Sequence, residues 1–218
     1  TRNNQETATA SEAILKGLAG EGGLFVPFYI PKLDKSLEEL SKMSYQEVAY
    51  EVMKLFMTDF TEEELKHCIN SAYDKKFDTE NIAELVKKDD AYYLELFHGA
   101  TIAFKDMALQ ILPYFLTVSA KKLMIDKKII ILVATSGDTG KAALEGFKDV
   151  EGTQIMVFYP ECGVSSMQKR QMTTQEGSNV GVCAIKGNFD DCQNGVKKIF
   201  TDSQVKQALD ANNLMFSS

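Results

Sequence analysis

Hydrophobic positions recur at helical spacing through the first part of the chain, and each recurrence starts at a recognisable helix N-terminus. A serine or threonine followed three residues later by glutamate is the capping-box pattern, in which both side chains satisfy backbone N–H groups. The pattern occurs at Thr9 and Glu12, Ser36 and Glu39, Ser44 and Glu47, and Thr61 and Glu64. Residues 1–90 are therefore predicted to form a mostly helical N-terminal domain.

Strands and helices alternate from Lys127 onward. Residues 129–134 (IIILVA) form an uninterrupted apolar run, as in a strand buried on both faces of a parallel sheet. Further strands are predicted at 155–159, 180–185 and 214–216, with helices through 142–147, 165–175, 196–200 and 204–209. Asp190 or Asp191 is expected to cap the third of these helices. The alternation predicts an α/β fold, a doubly wound parallel αβα domain with its ligand beyond the carboxyl ends of the strands.

Composition excludes several classes of partner. The 218 residues are 44% hydrophobic and 25% charged, as in a soluble globular protein, and the net charge of −7 argues against nucleic acid. No apolar run has membrane-spanning length and no signal peptide is recognised, so no membrane partner is expected. Potential metal ligands are scattered, so no metal is predicted; the scattered cysteines indicate reduced thiols and a cytoplasmic setting. These residues are Cys68, Cys162, Cys183, Cys192, His67 and His98.

A single lysine, Lys105, lies between a strand-like run at 91–96 and a mostly apolar helix predicted over 106–118. Apolar residues stand on both sides of it, so its stem is expected to be drawn toward the interior. Burial favours the neutral amine over the ammonium, and a neutral amine is what forms a Schiff base. The alternative is a lysine whose stem is covered while its ammonium stays in water.

The turn at residues 134–141 (ATSGDTGK) joins the end of a predicted strand to the start of a helix. Its hydroxyls and backbone N–H groups predict an anion cradle at the helix N-terminus. Only two residues separate its glycines, so it is not a phosphate-binding P-loop. We expect the carboxylate of Asp138 to bond to backbone donors, leaving the hydroxyls for the ligand. The alternative is a capped turn without a ligand.

Two other features are ambiguous in the sequence. Residues 187–191 (GNFDD) look like a glycine-rich phosphate loop, but two carboxylates would repel a phosphate, so helix capping is predicted. His98 follows the strand-like run and is close in sequence to Lys105. A turn or core histidine is the common case, and a residue that contacts substrate is the alternative.

Residues 94–106 (LELFHGATIAFKD) closely resemble the pyridoxal-phosphate lysine motif of the threonine synthase family. Residues 134–140 resemble the family's loop for the substrate carboxylate. Further matches are residues 17–19 with 22–27, 168–173, 187–193, and the opening Thr1-Arg2. The resemblance covers the whole chain.

The resemblance implies that the chain is the N-terminal half of a fold-type II pyridoxal-phosphate enzyme. The implied domains are a helical domain (1–90), part of the large cofactor domain with the Schiff-base lysine (91–120), and most of a small αβα substrate domain (121–218). The missing C-terminal half of the same enzyme is then a partner, because the ligands for the substrate and cofactor phosphates are expected there. The role of Lys141 is not implied.

The implied activity is the conversion of O-phospho-L-homoserine and water to L-threonine and phosphate by a lyase that uses pyridoxal 5′-phosphate. Lys105 would hold the cofactor as a Schiff base and serve as the catalytic base. The other implied site residues are Phe104 and Asp106 for the cofactor, and Ser136, Gly137, Asp138, Thr139 and His98 for the substrate.

Three alternatives are open. A serine or threonine dehydratase or a cysteine synthase of the same fold type would usually carry asparagine where Asp138 stands, and would lack the Phe-His-Gly that precedes the lysine motif. The third alternative is a non-catalytic remnant domain. The chain alone is expected to be inactive.

Overall fold

The computed structural model of the protein describes residues 1, 5–21 and 23–217. Arg2 and Gly22, which belong to two of the matched motifs, and Ser218 lie outside the described residues. The chain forms two compact units: Thr1–Met107 with Tyr114–Met124, and Ala108–Pro113 with Ile125–Ser218. The three domains predicted from the sequence stay a prediction, because these units are defined by contacts within this chain alone.

The first unit begins with four helices: α1 (Ala10–Lys16), α2 (Leu37–Leu40), α3 (Tyr45–Met53) and α4 (Glu62–Ala72). Each starts directly after one of the predicted capping residues, and all four capping boxes are formed. The capping prediction is therefore confirmed. Helix α4 contributes the buried side chains Leu65, Cys68, Ile69 and Ala72 to the core of this unit.

A two-stranded antiparallel hairpin follows, formed by β1 (Glu84–Lys88) and β2 (Ala91–Glu95). The sequence predicted β2 but placed residues 84–88 in the helical domain, and that part of the prediction is wrong. Asp89 adopts φ +54°, the left-handed conformation that a two-residue hairpin loop needs. The loop pairs the two strands in full register, from Glu84 opposite Glu95 to Lys88 opposite Ala91.

The helix predicted over 106–118 is two helices, α5 (Asp106–Leu109) and α6 (Leu112–Lys122). Pro113 lies in the first turn of α6, where its missing N–H costs no hydrogen bond. In a continuous helix the same proline would interrupt the backbone bonding, which explains why the helix restarts just before it.

The second unit contains a parallel sheet of β3 (Lys128–Ala134), β4 (Thr153–Pro160), β5 (Val180–Ile185) and β6 (Leu214–Ser217) in the order β5-β4-β3-β6. Its helices are α7 (Asp138–Phe147), α8 (Ser166–Thr173), α9 (Phe189–Thr201) and α10 (Ser203–Ala211). The predicted α/β fold class with a parallel sheet after a helical region is confirmed. Within the described ranges, no helix combines the length and apolar character needed to span a membrane.

The strand order reverses at β3. Strands β4 and β5 follow on one side of it, whereas β6 pairs with its other edge. Because crossovers between parallel strands are right-handed, the connecting helices lie on opposite faces of the sheet. The carboxyl end of β3 is therefore a topological switch point, where ligands of open α/β sheets bind. The loop that follows β3 is the 135–140 turn.

Candidate active site

Lys105 lies in the turn between β2 and α5, in the first unit. Its side chain is half-buried, and Nζ lies 4.9 Å from the centroid of the Phe104 ring. Within residues 1, 5–21 and 23–217, no carboxylate oxygen lies at ion-pair distance from this amine. The amine is therefore not tied up by a counter-ion and is available for covalent chemistry.

The turn before Lys105 is held from inside by the carboxylate of Asp106. Oδ2 accepts the backbone N–H of Thr101 and Oδ1 accepts its hydroxyl, both at 2.7 Å. Asp106 is fully buried, and a Cβ on Gly99 would come within 2.5 Å of its Oδ2. Asp106 was predicted to contact the cofactor, yet both its oxygens are engaged by Thr101. Thr101 itself was missed, and its only sequence signal is a hydroxyl five residues before the aspartate.

Ile102, in the same turn, adopts φ +60°. Left-handed backbone is unfavourable for a β-branched residue and costs on the order of 1–3 kcal/mol. The N–H of Ile102 donates to the carbonyl of Gly99 at 3.0 Å, which closes the turn. Thr101 and Asp106 stand before and after this strained residue in the sequence. The hydrogen bonds between them therefore help to hold the lysine turn in a conformation that is otherwise unfavourable.

His98 is held between two carboxylates. Nδ1 lies 2.5 Å from Asp78 Oδ1, and Nε2 lies 2.9 Å from Glu95 Oε2. The backbone N–H of Asp78 also donates to the carbonyl of His98 at 3.0 Å. The hydrogen bond with Glu95, which has the largest effect, and the hydrogen bond with Asp78 both raise the pKa of His98 above its ordinary value of 6.5. The structure therefore favours the imidazolium, which can donate from both nitrogens.

We expect the unfolding free energy to depend on pH through His98. A raised pKa in the folded state gives a contribution that is complete below about pH 6.5 and is lost as pH rises through the raised pKa. In urea unfolding at about pH 6 and about pH 9, His98→Gln should lose stability relative to the wild type at the lower pH and much less at the higher. His67→Gln, at the exposed histidine of α4, is the matched control and should keep the wild-type dependence. An equal loss for His98→Gln at both pH values would contradict the assignment.

Strand pairing brings Glu84 beside Glu95 and His98, with one potential ligand atom of each within 4.8 Å of the others. The sequence did not indicate this group, because residues 84 and 95 meet only through the hairpin. Nε2 of His98 bonds to Glu95, while Glu84 Oε1 accepts from Thr79 Oγ1 and Asn81 Nδ2. Protein donors thus compensate the negative charge of this group.

The turn after β3, in the second unit, is built around the buried hydroxyl of Thr135. Its Oγ1 accepts the backbone N–H groups of Gly137 and Gly140, at 3.0 and 2.9 Å, and donates to the carbonyl of Gly137 at 3.1 Å. The N–H of Gly137, predicted to bind substrate, is therefore used to shape the turn.

The donors that remain free belong to Ser136, Asp138 and Thr139. In the part of the chain that the structure describes, no hydrogen bond is formed by the hydroxyls of Ser136 and Thr139 or by the backbone N–H groups of all three residues. Ser136 is exposed and Thr139 is half-buried. These groups surround the N-terminus of α7, whose dipole favours a negative charge. The set matches the donors that a carboxylate requires.

The sequence predicted that the Asp138 carboxylate accepts hydrogen bonds from backbone N–H groups, and that prediction is wrong. Its Oδ1 instead accepts the side-chain amide of Gln168, on α8, at 2.8 Å. Gln168 was missed as a partner of Asp138, because thirty residues separate the two and only the packing of α7 against α8 joins them.

Lys141, whose role the resemblance did not imply, links two elements of the second unit. Its Nζ bonds to Gln175 Oε1 and lies 3.4 Å from Glu145 Oε2. It fastens α7 to the end of α8.

The 187–191 segment caps a helix, as predicted, but the N-cap residue is Asn188 and not Asp190 or Asp191. Asn188 is the N-cap of α9: its side chain accepts the N–H of Asp191, and the Asp191 carboxylate accepts the N–H of Asn188 at 2.8 Å. Asp191 is thus the reciprocal member of the capping box and neither aspartate is the N-cap itself. An amide oxygen and two carboxylates at this N-terminus do not suit a phosphate.

The predicted site residues are divided between the two units. His98, Phe104, Lys105 and Asp106 belong to the first, and Ser136, Gly137, Asp138 and Thr139 belong to the second. Within the first unit, the lysine turn is assembled by Asp106. Within the second, the donor loop is assembled by Thr135, whose hydroxyl was expected to face the ligand, and by Gln168, which was not predicted as a site residue.

Comparison with known proteins gives a consistent result. Residues 1–73 match the family model described as threonine synthase N terminus. Threonine synthase of Eremothecium gossypii is 37% identical over 217 residues, covering 93% of this chain and 42% of the relative. The crystal structure of PLP-bound threonine synthase from Brucella melitensis superposes with a TM-score of 0.85 at 36% identity, covering 99% of this chain and 46% of that one. Yeast threonine synthase gives 0.85 at 33% identity, with coverage of 98% and 44%.

These matches, with the αβα fold, show that the chain is similar to the N-terminal portion of fold-type II pyridoxal-phosphate enzymes. Within that class it is a homologue of threonine synthase. The chain spans less than half of the length of the relatives that it matches.

Proposed function

We propose that the chain is part of a threonine synthase that uses pyridoxal phosphate to convert O-phospho-L-homoserine and water into L-threonine and phosphate. The observation that carries the proposal is the amine of Lys105, which is half-buried and has no anionic partner among the described residues. The PLP-bound relative from Brucella melitensis, similar over 99% of this chain, supports the choice of cofactor.

The residues present fit the cofactor's chemistry. Pyridoxal phosphate carries an aldehyde, and a primary amine free of a counter-ion is the group that an aldehyde needs; Lys105 Nζ is such an amine. We assign Phe104 to contact with the cofactor, and its position beside that amine, with 57% of its surface exposed, supports the assignment. Asp106 contributes indirectly, through the turn that it holds. When bound, the cofactor supplies an electron sink that stabilises negative charge at the substrate α-carbon.

Lys105 also serves as the general base. Only a neutral amine has a lone pair that can accept a proton, and in that form Nζ would take the proton from the α-carbon of the substrate. The same nitrogen would also take a proton from the β-carbon as phosphate leaves the γ-carbon, and would then return protons to the γ- and α-carbons while water adds at the β-carbon. One water is consumed and one phosphate is released for each threonine formed.

The loop after β3 binds the substrate carboxylate. The hydroxyls of Ser136 and Thr139 and the free N–H groups of Ser136, Asp138 and Thr139 are the donors, and the α7 dipole favours the negative charge. Gly137 contributes by its conformation, φ +155°, and by its close approach to Gln168. This assignment keeps all four residues predicted for the loop but gives Gly137 a shaping role.

We assign His98 to positioning. Both of its nitrogens are bonded to carboxylates, so a direct bond to substrate would require one of those bonds to break. Held in this way, His98 fixes the end of β2 and the start of the segment that leads to Lys105.

The proposed activity also needs donors for two phosphates. The 187–191 segment is occupied by a helix cap, so we propose that a further segment, equivalent to the remaining length of the relatives, supplies those donors.

The test is phosphate release from O-phosphohomoserine, measured with pyridoxal phosphate present. The 218-residue chain alone should retain the cofactor weakly and release no phosphate. The chain joined to a segment equivalent to the rest of a relative should release phosphate and form threonine. Release of ammonia from serine or threonine, without phosphate release, would instead identify a dehydratase. Cofactor uptake without any turnover in the joined protein would contradict the proposed reaction.

A further inference from the structure

We propose that Gln168 is a positioning residue for the carboxylate-binding loop, because it holds the carboxylate of Asp138 away from the donors at the start of α7. The inference rests on the proposed function, since it concerns the loop assigned to the substrate carboxylate. It assigns a role to a residue of α8 that lies outside the loop itself.

Asp138 poses a problem for any loop that binds an anion. It is the first residue of α7, where aspartate commonly caps free N–H groups with its own carboxylate. A carboxylate in that position would take the donors that a substrate needs and would repel the substrate's charge. Among the described residues, however, the Asp138 side chain bonds to no backbone N–H, and its exposed carboxylate accepts from Gln168 Nε2 at 2.8 Å.

The orientation of the Gln168 amide is fixed from the other side. Its Oε1 accepts the backbone N–H of Ser165 at 3.2 Å, and its own backbone N–H donates to Ser165 Oγ at 3.2 Å, so it is half of the α8 capping box. With Oε1 used in this way, Nε2 is the atom turned toward Asp138. The amide also lies against Gly137, where a Cβ would come within 2.3 Å of Nε2. A residue other than glycine at position 137 would displace the amide from Asp138.

This geometry suggests a variant in which the donor Nε2 of residue 168 is replaced by an acceptor oxygen. Glutamate at position 168 keeps the capping box, since glutamate is the usual partner of an N-cap serine, but it presents an oxygen to Asp138 where a donor stood. Exchanging both residues, Asp138→Asn with Gln168→Glu, restores a donor and an acceptor with their order reversed. Gln175→Glu is the matched control: Gln175 also joins the C-terminal end of α8 to α7, through Lys141 and Glu145, but does not touch the loop.

In the cofactor-loaded joined protein, Q168E should raise KM for O-phosphohomoserine about tenfold, with kcat within about threefold of the wild type. The double exchange should recover most of that loss, and Q175E should leave KM unchanged. A kcat defect without a KM change in Q168E, or a double exchange no better than Q168E, would overturn the proposal.

A second measurement does not depend on catalysis. The N–H groups of Gly137 and Gly140 are protected by Thr135, and in the cofactor-free chain Q168E should speed their hydrogen exchange several-fold while Q175E does not. Unchanged exchange in Q168E would refute the positioning role, whatever the kinetics. If exchange responds as expected while no version of the protein releases phosphate from O-phosphohomoserine, the positioning role stands and the proposed function fails.

Discussion

Replacing Lys105 with alanine is expected to abolish the visible absorbance band of the lysine-bound cofactor and to lower turnover by at least ~10²–10⁴-fold. The reason is the double use of one atom: Nζ is both the attachment point for the cofactor and the base that moves the α-proton. Loss of the amine removes both functions, whereas loss of a residue that only positions it removes part of each.

The measurement is an absorbance spectrum with added pyridoxal phosphate, followed by phosphate release, in the joined protein. Lys105→Arg separates charge from chemistry, since it keeps the positive charge and cannot supply the primary amine, and it should fail as alanine does. Lys122→Ala is the matched control, because Lys122 is also partly buried in the first unit but is paired with Glu64 at 2.9 Å. A Lys105→Ala protein that keeps both the band and the turnover would show that the lysine is misassigned.

Most elements of the fold could be predicted from short stretches of sequence. The four capping boxes were predictable because both partners lie within one turn of each other, and the strands of the sheet were predictable because buried parallel strands form long apolar runs. Strand β1 was missed because its mostly exposed residues carry no such run and its pairing with β2 depends on a turn at Asp89. The break between α5 and α6 had a local signal, Pro113, which the apolar pattern around it obscured.

For the candidate site too, contiguous motifs were predicted and contacts between distant residues were not. The sequence identified Lys105 and the loop after β3, because these are contiguous motifs. It did not identify Thr101, Thr135 or Gln168 as supports. Thr101 gives no signal beyond a hydroxyl five residues before Asp106. Thr135 was counted as a ligand-facing hydroxyl although it points inward, and Gln168 meets Asp138 only through helix packing. A short motif therefore indicates which groups do the chemistry, while the groups that hold them in place depend on the three-dimensional packing.

That distinction makes Asp106 a sharp test, because it adjoins the lysine proposed to be catalytic, whereas its carboxylate, among the described residues, accepts hydrogen bonds only from Thr101. Asp106→Ala would leave the buried N–H and hydroxyl of Thr101 without acceptors, and Thr101 is only 6% exposed. Because both donors lose a charged acceptor and stay buried, the expected loss of unfolding free energy is about 3 kcal/mol. The strained backbone at Ile102 would then relax, so weaker cofactor retention is expected as well.

Asp106→Asn should cost only about 1 kcal/mol, because an amide can accept from the Thr101 N–H and donate to its hydroxyl oxygen. Asp74→Ala is the control for removing an aspartate from the same unit; its carboxylate is 38% exposed and paired with Lys76, so a loss of about 1 kcal/mol or less is expected. Urea unfolding of the 218-residue chain measures all three. If Asp106→Ala is no less stable than Asp74→Ala, the buried bonds do not hold the lysine turn, and Asp106 would be free to act on the cofactor directly.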